Sequence, residues 1–150
     1  MMIIRKTVVD LISNSAKVPH FVKVQNKYLT KLLFLKIGYY LNEESNWKLD
    51  KSELKRSIES ARQHCNPRVL CVMNPGNPTG QVLSYDNVKE IIEFCMEERL
   101  FLLADEVYQD NIYGNQPFNS FKKVLKDMGP KGDDFELASF HSVSKGFMGE

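Results

Sequence analysis

The 150-residue sequence has little net charge and no long apolar run. Its 20 basic and 19 acidic side chains give a formal net charge of +1, which disfavours a nucleic-acid binder held by phosphate contacts. No stretch of about 18 apolar residues occurs, so no membrane-spanning helix is predicted. With 43% hydrophobic and 26% charged residues, the composition is that of a globular domain.

Cysteine is also scarce, with three residues, Cys65, Cys71 and Cys95. They form no C-x-x-C pair and adjoin no histidine cluster, so the sequence predicts no zinc site or other metal site. An odd number of cysteines without a secretory leader favours unbridged thiols in a reducing compartment. We therefore expect a cytoplasmic location.

Basic residues are concentrated at the start of the chain. Residues 1–37 hold seven basic side chains against one acidic, a net charge of +6, whereas residues 38–150 hold 13 against 18, a net charge of −5. A basic, acid-poor start is typical of a mitochondrial presequence, the alternative location, although a single arginine fits that interpretation poorly. We divide the sequence into an atypical basic leader over 1–37 and a domain over 38–150. Within the leader, Leu32–Ile37 is apolar enough for a short strand.

Helical periodicity begins at Asp50. Asp50 and Glu53 have the spacing of a capping box, in which two side chains bind free amides around the first turn of a helix. Apolar residues follow at helical intervals, namely Leu54, Ile58 and Ala61. This helix is predicted to end before Asn66-Pro67, because a residue that precedes proline avoids the helical region.

After this helix, short apolar runs alternate with a helical pattern. Arg68–Met73 and Leu100–Ala104 are bounded by turn residues, which is typical of buried strands. Between them, Ser84 precedes an apolar stripe at helical spacing, made of Val88, Ile91, Ile92 and Cys95. A strand, a helix and a strand in succession predict a β-α-β unit whose parallel strands are buried on both faces.

The last third of the sequence continues this alternation. Asn119–Met128 is predicted to be a helix that begins near Ser120 and stops at Gly129-Pro130. Leu137–His141 is predicted to be the final strand. The predicted fold class is therefore α/β, with a mainly parallel sheet and flanking helices.

Three polar clusters follow three of the predicted strands: Asn74–Gly80, Asp105–Asn111 and Ser142–Lys145. Ligands of open α/β sheets bind beyond the carboxyl ends of the strands. If the three strands are parallel neighbours, the clusters converge on one crevice.

Each cluster also has a purely structural interpretation. Asn74–Gly80, with two prolines and two glycines, is either a stiff turn or a support that aims the Asn77 amide at a ligand. Asp105, at the end of a buried strand, either pairs with a surface cation or binds a protonated ring nitrogen, with Tyr108 in reach of the same ligand. Lys145 is either a solvated surface charge or, if held in a pocket, an amine able to form a Schiff base.

Together the motifs resemble those of the fold-type I pyridoxal-phosphate (PLP) aminotransferases. N-P-G-N-P-T-G, A-D-E-V-Y and S-V-S-K occur in the order and at the separations of that family. Further stretches are similar to the alanine aminotransferases, namely Gly38–Trp47, Pro75–Val82, Leu102–Tyr113, Ser120–Leu125 and Leu137–Gly146. The resemblance covers residues 38–150, which we expect to form part of the PLP-binding large domain.

The resemblance implies a role for each polar residue of the clusters. Lys145 is implied to hold PLP as a Schiff base and to transfer a proton between the substrate α-carbon and the cofactor. Asp105 is implied to pair with the pyridine nitrogen. Asn77 and Tyr108 are implied to hydrogen-bond the 3′ oxygen of the ring. Two hydroxyls are implied to contact the phosphate, those of Ser142 and Ser144.

The implied reaction transfers an amino group between L-alanine and 2-oxoglutarate, and the full-length family is expected to form homodimers. Amino acids and 2-oxo acids are the expected partners, with neither nucleic acid nor a membrane among them. Aminotransferases specific for aspartate or kynurenine share these PLP residues, so another specificity stays open. Family arginines that bind the phosphate and the substrate carboxylate have no counterpart in this sequence, so we expect the chain alone to bind PLP weakly and to transaminate negligibly. A non-catalytic interaction fragment is the remaining alternative.

Overall fold

The computed structural model describes the backbone of residues 9–14 and 35–146 and the side chains of residues 37–146. The leader predicted over residues 1–37 lies mostly outside these ranges, so its presequence interpretation and the boundary at residue 38 stay predictions. Of the strand predicted over Leu32–Ile37, the described part is extended and continues to Tyr40.

One five-stranded parallel sheet organises the described residues. In spatial order the strands are β2-β1-β3-β4-β5, and every neighbouring pair is parallel. The strands are β1 (Val9–Asn14), β2 (Leu35–Tyr40), β3 (Val69–Met73), β4 (Phe101–Asp105) and β5 (Leu137–Phe140). The predicted α/β class with a parallel sheet is confirmed, and the three strands predicted after residue 67 are present within one residue of their predicted bounds.

Within the described ranges, three α-helices connect β2 to β3, β3 to β4 and β4 to β5, and each was predicted. They are α1 (Lys51–Arg62), α2 (Tyr85–Glu98) and α3 (Phe121–Asp127), and two short 3-10 helices occupy Glu43–Ser45 and Gly129–Gly132. The apolar stripe predicted for α2 is buried along its length, because it packs into the core. Among the described residues, no helix is both long and apolar enough to cross a membrane.

Serine side chains begin two of the helices. The Ser84 hydroxyl accepts a hydrogen bond from the Asn87 N–H of α2 at 3.2 Å. The Ser120 hydroxyl accepts one from the Lys123 N–H of α3 at 3.1 Å. Both satisfy amides that have no partner inside the first turn, so these predicted helix starts are confirmed.

The capping box predicted for α1 is wrong. Asp50 stands at the N-cap position but makes no side-chain cap bond, because its carboxylate accepts a hydrogen bond from Asn42 Nδ2 at 2.9 Å. Glu53 accepts instead from the Tyr40 N–H at 3.0 Å and binds the Arg56 guanidinium at 2.7 Å. Tertiary partners from the end of β2 thus compete with the local capping geometry.

The core lies on one face of the sheet. Side chains of β3 and β4 alternate between fully buried and half-buried, with Leu70, Val72, Leu102 and Ala104 on the buried side together with all three helices. The prediction that both faces of these strands are buried is therefore wrong for the described residues. The reason is topological. The connections β2 to β3, β3 to β4 and β4 to β5 run in the same direction across the sheet, and right-handed crossovers then place α1, α2 and α3 on the same face.

The parallel arrangement brings the carboxyl ends of β3, β4 and β5 to a single edge. Asp105 is in register with Met73 on one side and with Phe140 on the other. The Asn74 N–H donates to the Asp105 carbonyl at 2.9 Å, and the Glu106 N–H donates to the Phe140 carbonyl at 2.9 Å. The loops that leave the three strands therefore start side by side.

Candidate active site

The three polar clusters meet at this edge, as the sequence predicted. The loop after β3 contacts the loop after β4 through a hydrogen bond from Asn77 Nδ2 to the Tyr108 hydroxyl at 3.0 Å. The loop after β4 contacts the loop after β5 through a hydrogen bond from the Gly146 N–H to Asn111 Oδ1 at 2.9 Å. Loops separated by more than 30 residues in the sequence are thus in contact at this edge, where Asn77 and Tyr108 line one cavity and Asp105 and Ser142 line another.

The loop after β3 is a rigid support for Asn77. Asn74, fully buried at its base, accepts a hydrogen bond from the Leu83 N–H at 2.9 Å. The Gly76 N–H donates to the Gln81 carbonyl at 3.0 Å. A Cβ atom on Gly76 would clash with the Gln81 amide, so a larger residue there would displace the Gln81 side chain. The loop is a stiff turn that also holds an exposed amide against Tyr108, so its two interpretations are compatible.

Asp105 closes β4 on the side of the sheet away from the helices. It is half-buried, as are Phe101 and Leu103 on the same side of the strand. Its Oδ1 accepts a hydrogen bond from the Val107 N–H at 3.2 Å, which fixes the carboxylate against the start of the loop. A cavity of about 320 Å³ adjoins it, lined by Cys71, Leu103, Asp105, Val107, Phe140, His141 and Ser142.

The turn after β5 presents two hydroxyls together. Ser142 Oγ and Ser144 Oγ lie 2.7 Å apart, and the Ser144 N–H is directed at Ser142 Oγ at 3.4 Å. Both serines are exposed, whereas the next residue, Lys145, is half-buried. The turn therefore offers paired oxygen donors beside an amine, which is a donor set suited to an anionic group.

Sequence reasoning missed Glu106, which supports the site from beneath. It is 2% exposed, with Oε1 accepting from the Phe121 N–H at 2.8 Å and Oε2 accepting from the Ser139 hydroxyl. Glu106 thus ties the loop after β4 to β5 and to the start of α3. Its signal in the sequence was its position directly after Asp105, one residue past a buried strand.

His141, the last residue of the predicted final strand, lies beside the loop after β4. It directly follows β5, and its Nε2 lies 3.9 Å from Asp110 Oδ2 in the loop after β4. Its side chain also borders the cavity beside Asp105.

A parallel α/β sheet with polar loops gathered at the carboxyl ends of its strands is the architecture of a ligand-binding α/β protein. Residues 34–149 match the family model described as aminotransferase class I and II, and the chain belongs to that family. It is 58% identical over 124 residues to alanine aminotransferase 2 of Xenopus tropicalis, which confirms the predicted resemblance. That match covers 81% of this chain and 24% of the relative, so the chain spans about a quarter of the length of the relatives it matches.

Solved structures agree on the fold. An alanine aminotransferase from Pyrococcus furiosus superposes with a TM-score of 0.69 at 19% identity, covering 92% of this chain and 30% of that one. A PLP-bound C–S lyase from Staphylococcus hominis superposes with a TM-score of 0.64 at 21% identity, covering 78% and 28%. These likenesses confirm that the chain has the α/β fold of part of each of those structures.

Proposed function

We propose that this chain forms the cofactor-holding part of a PLP-dependent transaminase that exchanges an amino group between L-alanine and 2-oxoglutarate. The observation that carries the proposal is the meeting of three polar loops at the carboxyl ends of β3, β4 and β5. Family membership supports PLP as the cofactor, and the 58% identity to an alanine aminotransferase supports the substrate pair.

The chemistry of the donor set fits PLP. The cofactor has an anionic phosphate, a phenolic oxygen, a ring nitrogen and an aldehyde, and the three loops offer a matching group for each. Ser142 and Ser144 suit the phosphate because their hydroxyls lie 2.7 Å apart. Asn77 and Tyr108 suit the phenolic oxygen, since their amide and hydroxyl already share a hydrogen bond of 3.0 Å.

Two charged residues complete the assignment. We assign the Asp105 carboxylate to the ring nitrogen, where it would keep a proton on that atom, and we assign the Lys145 amine to the aldehyde. When bound, PLP supplies an electron sink for the negative charge that develops on the substrate α-carbon. The Lys145 amine would then move the proton at that carbon, which is the general acid–base step of a transamination.

Covalent labelling tests the cofactor assignment. We expect incubation with PLP followed by borohydride reduction to modify Lys145 in preference to the exposed Lys122, as measured by mass mapping of proteolytic peptides. Lys145→Arg should abolish the adduct at that position, and the control Lys122→Arg should leave it unchanged. Equal labelling of the two lysines in the unsubstituted chain would contradict the proposal.

Catalysis by the 150-residue polypeptide alone is a separate question. The polypeptide spans 24% of the length of the alanine aminotransferase that it matches. Each charge-assisted hydrogen bond missing from the phosphate weakens the free energy of PLP binding by roughly 1.5–3 kcal/mol. We therefore expect weak PLP binding and negligible turnover. Alanine-dependent pyruvate formation is the measurement, and a rate like that of the full-length relatives would contradict this expectation.

Specificity for the amino donor is tested on a longer protein that contains this sequence. Asn77, Asp105 and Tyr108 are assigned to the cofactor, so they do not distinguish alanine from aspartate or kynurenine as the amino donor. A panel of these donors would decide, with alanine expected to give the highest kcat/KM. Homodimerisation and the cytoplasmic or mitochondrial location stay predictions.

A further inference from the structure

Asp110 and Asn111 have no role in the proposed cofactor site, although they lie beside it. They follow Tyr108 in the loop after β4, which is the same loop that begins at Asp105. The Asn111 N–H donates to the Tyr108 carbonyl at 2.8 Å, so Asn111 is fixed relative to the tyrosine.

Both residues reach across to the loop that carries Lys145. Asn111 Oδ1 accepts the hydrogen bond from the Gly146 N–H at 2.9 Å, immediately after the lysine. Asp110 Oδ2 lies 3.9 Å from His141 Nε2, immediately before Ser142. The turn of residues 142–145 is therefore contacted at both of its ends by two consecutive residues of one neighbouring loop.

Gly146 allows the turn of residues 142–145 to approach Asp110 and Asn111 closely. Its φ of +67° lies in the left-handed region, and a Cβ atom there would lie 3.0 Å from Asp110 Cβ. A larger residue would be strained by the backbone angle and crowded by Asp110. The chain thus leaves Lys145 in a conformation that brings the next amide directly onto Asn111.

We propose that Asp110 and Asn111 are positioning residues for Lys145, an inference that rests on the proposed function. They join the turn bearing the amine to the loop bearing Asp105 and Tyr108, so the groups assigned to the aldehyde, the ring nitrogen and the phenolic oxygen keep fixed separations. Such fixing matters because a misplacement of about 1 Å between reacting atoms lowers reaction rates by orders of magnitude.

The hydrogen bond itself is tested by amide exchange in the 150-residue chain without cofactor. Asn111→Ala removes the acceptor, and we expect the Gly146 amide to exchange roughly threefold to tenfold faster, the change expected for one hydrogen bond. Asn111→Asp keeps an acceptor oxygen at the same place and should restore slow exchange. Tyr113→Phe is the matched control: it removes the other partner of the Asn111 side chain, a hydroxyl 3.3 Å from Nδ2 on a ring that is 92% exposed.

Positioning is tested by PLP and borohydride labelling of the same four proteins. The measured quantity is the ratio of adduct at Lys145 to adduct at Lys122. We expect Asn111→Ala to lower this ratio roughly threefold to tenfold, while Asn111→Asp and Tyr113→Phe stay close to the unsubstituted chain. Urea denaturation of each protein verifies that the folded fraction is the same.

The outcomes separate the two proposals. Faster Gly146 exchange together with a lower labelling ratio in Asn111→Ala supports the positioning role. An unchanged labelling ratio in that variant overturns it, as does an unchanged exchange rate. If the unsubstituted chain shows no preference for Lys145 over Lys122, the proposed function itself fails, whatever the exchange rate at Gly146.

Discussion

At the scale of single residues, Asp105 and Glu106 show how neighbouring carboxylates take different tasks. Asp105 ends β4 on the side of the sheet away from α1, α2 and α3, whereas Glu106 is directed into the core side, where Ser139 and the Phe121 N–H bind it. The sequence predicted the position of Asp105 because that residue follows an apolar run. It did not predict Glu106, because its backbone partner Phe121 lies 15 residues away and only the folded chain brings them together.

Removal of the Glu106 carboxylate should destabilise the chain. Glu106→Ala leaves the Phe121 N–H and the Ser139 hydroxyl without their acceptor in a buried place, and we expect a loss of about 3 kcal/mol in the free energy of unfolding. Glu106→Gln keeps an acceptor for the amide and a donor for the hydroxyl, so its loss should stay below about 1.5 kcal/mol. Urea denaturation followed by circular dichroism measures both, and equal losses would refute the assigned hydrogen bonds.

At the scale of helices and strands, capping residues in the sequence predicted helix starts correctly where no tertiary partner competed for the capping side chain. Ser84 and Ser120 cap their helices as predicted, since each side chain bonds to an amide three residues ahead. Asp50 and Glu53 have the same kind of spacing but bind Asn42 and the end of β2 instead. Those partners come from residues before the helix, so spacing within the helix did not predict them.

The cap of α2 gives a prediction at this scale. Ser84→Ala removes the acceptor for the Asn87 N–H, and we expect it to lower the free energy of unfolding by about 1 kcal/mol. Ser52→Ala is the matched control, because Ser52 is exposed within α1 and alanine is favourable in a helix. Thermal or urea denaturation measures the difference, and equal effects of the two substitutions would count against the cap.

Glu53, which links α1 to the end of β2, makes the free energy of unfolding depend on pH. Hydrogen bonding to the Arg56 guanidinium lowers the pKa of Glu53, and the Tyr40 N–H lowers it further against the opposing effect of burial. Since the folded pKa lies below the unfolded one, this carboxylate stabilises the fold above about pH 4.3, the ordinary glutamate value, and that stabilisation is lost as the pH falls through the folded pKa.

The Glu53→Gln variant tests the direction of this pH dependence. We expect the unsubstituted chain to be more stable than the variant at pH 7, and the difference to shrink as the pH is lowered through 4.3 and below. Glu59→Gln, on the exposed side of the same helix, should have a smaller effect at pH 7. Urea denaturation across the pH range is the measurement, and a difference that grows in acid would reverse the assignment.

At the scale of the whole molecule, hydrophobic periodicity predicted the fold class, the β-α-β unit and the edge where the polar loops meet. It did not predict the order of the strands or the single-sided core. Those depend on which distant strands pair and on the direction of each crossover, and a short stretch of sequence determines neither. The meeting of the loops after β3, β4 and β5 was predictable because parallel strands alone place their carboxyl ends together.

Cysteine reactivity should report on the folding of the whole molecule. Cys95 is fully buried in the core, and burial raises the pKa of its thiol far above the ordinary value. Cys65 and Cys71 are half-buried. We expect iodoacetamide at pH 8 to modify Cys65 and Cys71 first and to reach Cys95 at the rate of global unfolding, with all three modified alike in concentrated urea. Mass mapping over time measures this, and rapid modification of Cys95 in the native chain would contradict the described core.

The register of β4 has a chemical consequence. Successive side chains of a strand point to opposite faces, so a slip of one residue would carry Glu106 to the crevice and bury Asp105 among apolar groups. What prevents the slip is the anchoring of Leu102 and Ala104 beneath the helices. The packing of Leu102 and Ala104, which contact no ligand, therefore determines whether Asp105 or Glu106 faces the ligand-binding side of the sheet. A substitution that weakened this packing would exchange one acid for the other at that position.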